Sequence, residues 1–263
     1  MSEVLKAPRE MQDVRIAPSV EWSEEAKAAQ KKALETPKCA DAWMNLGLEL
    51  RKQMLFREAI EAYSRGLACQ PFHSMLYRHR GHALVNIGCY AMGASDFEMC
   101  LRIDPDNWSA WYHLGLSYHL MGEYALASEA YAQCLKRSYD DYHKICCTDW
   151  YCMTLMKMGK INQMREIASR ITKDMVPGEA YGYFGRDLVY NGTNDPEQTL
   201  EQARKDNDHM FATGAYGIAV YYEYVLGDEK RAMEILHEIQ QRNTVWSGFA
   251  EQAMELRLQG KAK

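Results

Sequence analysis

Arginine and histidine crowd one short stretch of the chain, where Arg78, His79, Arg80 and His82 lie close together, with His113 further on. Guanidinium groups bind oxyanions through paired N–H donors, so this cluster reads as a candidate anion site. Nucleophilic and acid–base chemistry have less to work with. His237-Glu238 lacks a second histidine four residues after the first, Asp149 has no nucleophile beside it, and no glycine-rich phosphate loop follows a strand pattern. Cys146, Cys147 and Cys152 are neighbours but form no Cys-x-x-Cys pair, and the helical turn carries Cys147 and Cys152 to different sides of one axis. The expectation is a protein without catalytic residues, metal or cofactor.

A repeat must position these residues. The stretch Trp111–Leu135 pairs two amphipathic helical patterns across a Met-Gly-Glu break, and copies of it precede it, so that Gly47, Gly81 and Gly115 fall at 34-residue intervals. Laid over one another, the first helices carry Trp43, Tyr77 and Trp111, then Leu46, Arg80 and Leu114, then the glycines, then Leu50, Leu84 and Tyr118. The second helices carry Ala59, Gly93 and Ala127, then Tyr63, Phe97 and Tyr131, then Gly66, Cys100 and Cys134, and Pro71 and Pro105 close two of the copies. Small residues let helix axes approach closely, aromatics fill the wedge between copies, and each copy needs its neighbour to cover its apolar face.

This pattern resembles the tetratricopeptide repeat (TPR). The resemblance implies an all-α fold, a right-handed superhelix of about six helix pairs with capping helices at both ends. Its expected divisions are a flexible arm over residues 1–21, a truncated repeat over 22–39, three regular repeats over 40–141, degenerate repeats over 142–244 and a terminal helix over 245–263. The degenerate part reads as helices over Thr148–Gly159, Ile161–Ile171, Gly178–Gly192, Tyr216–Gly227 and Glu229–Gln241, with Asp195-Pro196-Glu197 opening another. Cys100 and Cys134 then fill small-residue places, and the eight cysteines are expected as free, mostly buried thiols.

The resemblance also implies a concave groove walled by first helices. Its inward phases fall on Met44, Leu48, Arg51, Lys52, Arg78, His82, Asn86, Tyr112, Leu116 and His119, and further on at Asp149, Met153, Met156, Arg186, Tyr190, Tyr221 and Tyr224. Such a surface suits a protein or peptide ligand with an acidic group and apolar anchors. The Lys/Asn/Arg clamp by which chaperone-binding members hold a C-terminal carboxylate is absent, since those positions hold Met44, Leu48, His79, Ser109 and His113. Arg80, in the seam where two copies have leucine, needs a carboxylate such as Asp96, Glu61 or Asp149, or else joins the anion cluster.

The expected function is a non-catalytic scaffold binding a partner in the groove. The alternative is a small-molecule sensor or enzyme with a pocket among the C-terminal tyrosines and Arg186. Self-association into a homo-dimer through an open face near Trp246 is a third expectation. A net charge of −5, with no Lys/Arg-rich stripe, argues against nucleic acid and anionic membrane as partners. The charged opening residues and the lack of a long apolar run place the chain in the cytoplasm as an expectation.

Overall fold

The computed structural model describes residues 21–242 and 248–260. Within them lie fourteen α-helices and no strand: α1 (Glu24–Glu35), α2 (Ala40–Lys52), α3 (Phe56–Cys69), α4 (Ser74–Asn86), α5 (Tyr90–Ile103), α6 (Trp108–Leu120), α7 (Tyr124–Lys136), α8 (Asp141–Lys157), α9 (Ile161–Ala168), α10 (Tyr181–Tyr190), α11 (Pro196–Ala203), α12 (Asp208–Tyr221), α13 (Glu229–Gln241) and α14 (Phe249–Leu258). Six pairs, α2/α3 to α12/α13, are thus bracketed in sequence by α1 and α14. Residues 1–20 of the expected arm, and Trp246, lie outside the described residues. Two compact units divide the chain at 117/118, within α6.

Local chemistry sets the helix ends. Ser23, Asp140, Asn207 and Asp228 each accept a hydrogen bond from a first-turn amide, and Asp195 does the same ahead of Pro196 at the first position of α11. The turn inside the regular hairpins needs one left-handed residue. Gly88 and Gly122 supply it with φ of 78° and 80°, whereas the same place in the first hairpin is filled by Met54 at φ 61°.

In the N-terminal unit, wedge and gap are matched. A Cβ on Gly47 would stand 2.2 Å from the ring of Tyr63, and one on Gly81 would stand 2.9 Å from Phe97, so each glycine is where an aromatic ring approaches a first helix closely. Tyr63 and Phe97 are fully buried as a result. The indole of Trp43 donates to the carbonyl of Pro37 at 2.9 Å, and that of Trp111 donates to Pro105 at 2.8 Å. The recurring prolines therefore end one helix and tie down the next.

The C-terminal unit is organised around α8. Every residue from Ile145 to Met156 on it is buried, because α7, α9, α10 and α12 all pack against it. A helix covered on all sides has no amphipathic stripe, which is why its start is invisible in the pattern. The helix begins at Asp141, not at Thr148 as the periodicity predicts. Similarly α12 begins at Asp208, not at Tyr216, and closes in a π-helical turn, Tyr222–Leu226, ended by Gly227 at φ 69°. Among the described residues no helix is long and apolar enough to cross a membrane.

Candidate functional site

The arginine–histidine stretch on α4 divides by helical phase. Arg80 turns to the seam between first and second helices. There its Nε and Nη2 donate to the two oxygens of Asp96 at 2.8 and 2.7 Å, and its Nη1 donates to Ser64 Oγ at 3.0 Å. This is the structural role expected of an arginine in a leucine place, and it removes Arg80 from the anion cluster.

Arg78, two residues earlier, faces elsewhere. Its Nε and Nη2 both donate to Ser109 Oγ at 2.9 and 2.7 Å, and its Nη1 lies 3.1 Å from Nδ1 of His79. His79 stacks on Tyr63, and His82 meets His113 edge-on with ring centroids 4.7 Å apart. His113 Nδ1 in turn donates to the Ser109 carbonyl at 2.6 Å. Burial, then the charges of Arg78 and Arg51, pull His79 down to about 3. Burial and Arg78 likewise hold His113 at about 3, and His82 is driven well below the usual histidine range by burial and His113. All three imidazoles are neutral at physiological pH.

Arg51 on α2 adds a second guanidinium, whose charge is felt at Arg78 and at each of those histidines. Its buried Nε has no hydrogen-bond partner. Met44, Leu48, Arg51, Arg78 and His82 are all half-buried and reach solvent, while Lys52 is exposed. The N-terminal unit thus presents a mixed apolar and cationic strip along α2 and α4.

Other expected groove residues are differently placed. Asn86, Tyr112 and Leu116 are buried, and Tyr112 stacks on Trp108 with centroids 5.1 Å apart. His119 is buried too, its Nδ1 donating at 2.8 Å to a Thr154 hydroxyl that itself donates to the Trp150 carbonyl. Asp149, Met153, Met156, Arg186 and Tyr190 are buried as well, because α8 and α10 are covered by α12. These side chains pack or pair inside the protein, where the sequence pattern predicts a solvent-facing wall.

Arg186 is wholly buried and paired with Asp149 through Nη2, and a Cβ on Gly217 would stand 2.2 Å from Tyr190 Oη and 2.6 Å from Arg186 Cδ. Gly217 is therefore the gap into which the pair fits. Asp187 is buried next to it with neither oxygen hydrogen-bonded, and burial pushes its carboxyl well above the usual range. Asp149 pairs with Arg186, while burial shifts Asp187 towards its neutral form.

Of the C-terminal tyrosines, Tyr221 stacks on Tyr190 with centroids 6.1 Å apart, and Tyr224 lies under the ammonium of Lys157 at 5.0 Å. Tyr124 takes the same cation at 5.6 Å. Burial pulls the Lys157 amine down to about 8, despite the pull of Glu223 in the other direction. A separate polar cleft of about 400 Å3 includes Tyr181, Asp195, Gln198, Gln202 and Asp206 in its walls, and Arg186, Tyr221 and Tyr224 do not line it. Cys146, Cys147 and Cys152 are buried free thiols, with Cys146 pushed up to about 12 by burial, and among the described residues no group of three or more metal-ligating side chains converges.

Sequence reasoning missed two features. Lys157 hides at the end of a buried helix with nothing in its neighbours to single it out. The second is a set of arginine–carboxylate forks in the C-terminal unit, Arg231 with Glu197, Arg204 with Glu238 and Arg257 with Glu223. Each joins residues 34 apart, so the repeat length survives there in charge pairing.

Successive helix hairpins joined by left-handed turns, with ring-against-glycine contacts recurring from copy to copy, define a helical-repeat protein. Residues 109–141 match the family model described as "Tetratricopeptide repeat". The chain is 31% identical over 100 residues to a Triticum aestivum protein named "Hsp70-Hsp90 organizing protein", covering 38% of this chain and 17% of that one. The chain thus spans less than a fifth of that relative's length. Among solved structures, a chain of the APC/C hetero-tetramer Cut9-Hcn1 superposes with TM-score 0.58 at 15% identity, over 93% of this chain and 48% of that one. YrrB, described as a TPR protein with an unusual peptide-binding site, superposes with TM-score 0.51 at 16% identity, over 82% of this chain and 93% of that one. At such identities the two structures establish the fold alone.

Proposed function

We propose that the protein is a non-catalytic adaptor that takes an extended segment of a partner protein along the α2–α4 strip of its N-terminal unit. The observation that carries this is the strip itself. Met44 and Leu48 offer apolar area that reaches solvent, and Arg51 and Arg78 on the same two helices have no carboxylate partner among the described residues. A partner segment with an acidic group and apolar anchors complements both. The peptide-binding site in the description of the YrrB structure supports the reading by analogy of fold only. The chaperone-tail variant is not adopted, because Met44, Leu48, His79, Ser109 and His113 stand where the clamp would be. Burial raises the thiols of Cys100, Cys146, Cys147 and Cys152, the first two to about 12, which disfavours these four as nucleophiles.

Selection from a displayed random-peptide library on the pure protein tests this. Selected peptides should slow hydrogen exchange in α2 and α4, and Leu48→Asp should abolish their binding. Protection confined to α10–α12, or a metabolite that raises the melting temperature when no peptide is selected, would instead favour the polar cleft of about 400 Å3 as the binding site.

A further inference from the structure

Buried or half-buried arginines in this protein typically find a carboxylate: Arg80 has Asp96, Arg186 has Asp149, Arg204 has Glu238, Arg231 has Glu197 and Arg257 has Glu223. Arg51 and Arg78, each within the electrostatic reach of the other, have no carboxylate partner among the described residues. Arg78 is oriented by a serine hydroxyl and a neutral imidazole, which use three of its five N–H groups and leave its charge untouched. The buried Nε of Arg51 has no hydrogen-bond partner among the described residues. Nearby lies the Tyr63 hydroxyl, buried and without a hydrogen-bond partner, within the field of both cations.

Holding two like charges together away from bulk water is unfavourable unless something negative joins them. We infer that Arg51 and Arg78 form a receptor for a doubly charged oxyanion, the phosphoryl group of a phosphorylated segment in the partner protein. The inference rests on the peptide reading above and names the group that this strip reads.

The charge count favours phosphoryl over carboxylate. A carboxylate carries one charge and would leave one guanidinium uncompensated, whereas a phosphoserine or phosphothreonine carries about −1.5 to −2 at neutral pH and presents three acceptor oxygens. Two N–H groups of Arg78 and the whole fork of Arg51 are available to those oxygens. The neutral imidazoles of His79 and His82 add polar but uncharged walls, so the charge at the site stays that of the two arginines.

The test uses the full chain and three fluorescent degenerate peptide pools, centred on phosphoserine, serine or aspartate, with inorganic phosphate and acetate as competitors at matched ionic strength. The phosphoserine pool should bind at least ten-fold more tightly than the other two, phosphate should compete and acetate should not, and Arg51→Gln should erase the preference. The buried Nε of Arg51 has no partner among the described residues, so Arg51→Gln removes no hydrogen bond from it, and circular dichroism checks that the variant folds. Arg51→Lys separates charge from fork geometry and should recover only part of the preference. Equal binding of the three pools on α2 and α4 overturns the phosphoryl inference and leaves the peptide reading standing. Phosphate protection of α2 and α4 with no pool bound overturns the peptide reading and shows an anion site for free phosphate. A phosphoserine preference unchanged in Arg51→Gln overturns the assignment to these residues.

Discussion

The Arg80–Asp96 pair allows the sharpest test of how a charge is tolerated in a repeat seam. Asp96 is 8% exposed and Arg80 24%, and two charge-assisted hydrogen bonds of 2.7 and 2.8 Å join them. Burial raises the Asp96 carboxyl by more than Arg80 lowers it, while Arg80 itself is raised chiefly by its bond to Asp96. The pair is therefore close to balanced: its attraction roughly offsets the cost of desolvating the carboxylate. Removing one partner is another matter. Asp96→Ala strands a guanidinium that keeps only Ser64, and such a loss costs about 3–5 kcal/mol. Because Arg80 retains some solvent, the lower end, about 3 kcal/mol, is expected. Arg80→Leu together with Asp96→Ala restores the residue type that Leu46 and Leu114 have in the sister repeats, and should cost no more than about 1 kcal/mol.

The two units need not unfold together, so a whole-molecule signal is the wrong assay. Hydrogen exchange in rising urea, read from peptides of α4 and α5, reports the stability of the seam itself. The expected order is wild type, double variant, then Asp96→Ala well below both. A double variant that loses the sum of the two single losses would refute the reasoning, because it would mean that the side chains do not act on each other.

Other perturbations probe other steps. Met54→Gly removes the penalty of a left-handed non-glycine residue and should stabilise the first hairpin by about 0.5–1 kcal/mol, read as slower exchange in α2 and α3; a loss of stability would show that the methionine side chain outweighs its backbone. Gly217→Ala places a methyl group against Tyr190 and Arg186 and should cost about 1–3 kcal/mol or more in the C-terminal unit, and a melting temperature equal to wild type would contradict the close fit. Asp187 binds its proton more tightly folded than unfolded, so its contribution falls as pH rises from the ordinary carboxylate range towards the raised folded value. Asp187→Asn should therefore flatten the melting-temperature profile over that rise and be at least as stable as wild type at pH 7; a steeper profile contradicts this. Lys157, held near 8, should react with an acylating reagent along a curve with a midpoint near that pH, while a midpoint above 10 would mean that burial between Tyr124 and Tyr224 does not govern the amine.

The N-terminal half was readable because its packing uses residue types at fixed phase. Gly47 and Tyr63, then Gly81 and Phe97, are contact partners in space and recurring letters in sequence. The later half was not readable in that way. Once α8 is surrounded, the difference between inward and outward faces disappears, and Asp149 or Arg186 looks like a groove residue when it is an interior ion pair. A different signal was present there: Glu197 and Arg231, Arg204 and Glu238, and Glu223 and Arg257 are opposite charges one repeat length apart. Hydrophobic phase misses such pairs, but charge complementarity at the repeat interval finds them.

That distinction bears on function as well. In a stacked repeat, a cation with an anion one copy away is explained by stacking, and its presence says nothing about a ligand. Arg204, Arg231 and Arg257 meet that condition with forks across 34 residues, and Arg186 meets it within the interior. Arg51 and Arg78 do not. His73 on α4's approach does reach Asp41 on α2 at 3.1 Å, so the two first helices are close enough to share a pair, yet Arg51 and Arg78 on these helices have no carboxylate partner among the described residues. A seam built only for stability would place a carboxylate there, as it does at Asp96. Two arginines without a carboxylate partner among the described residues, beside neutral histidines, are therefore the feature on which the proposed partner charge rests.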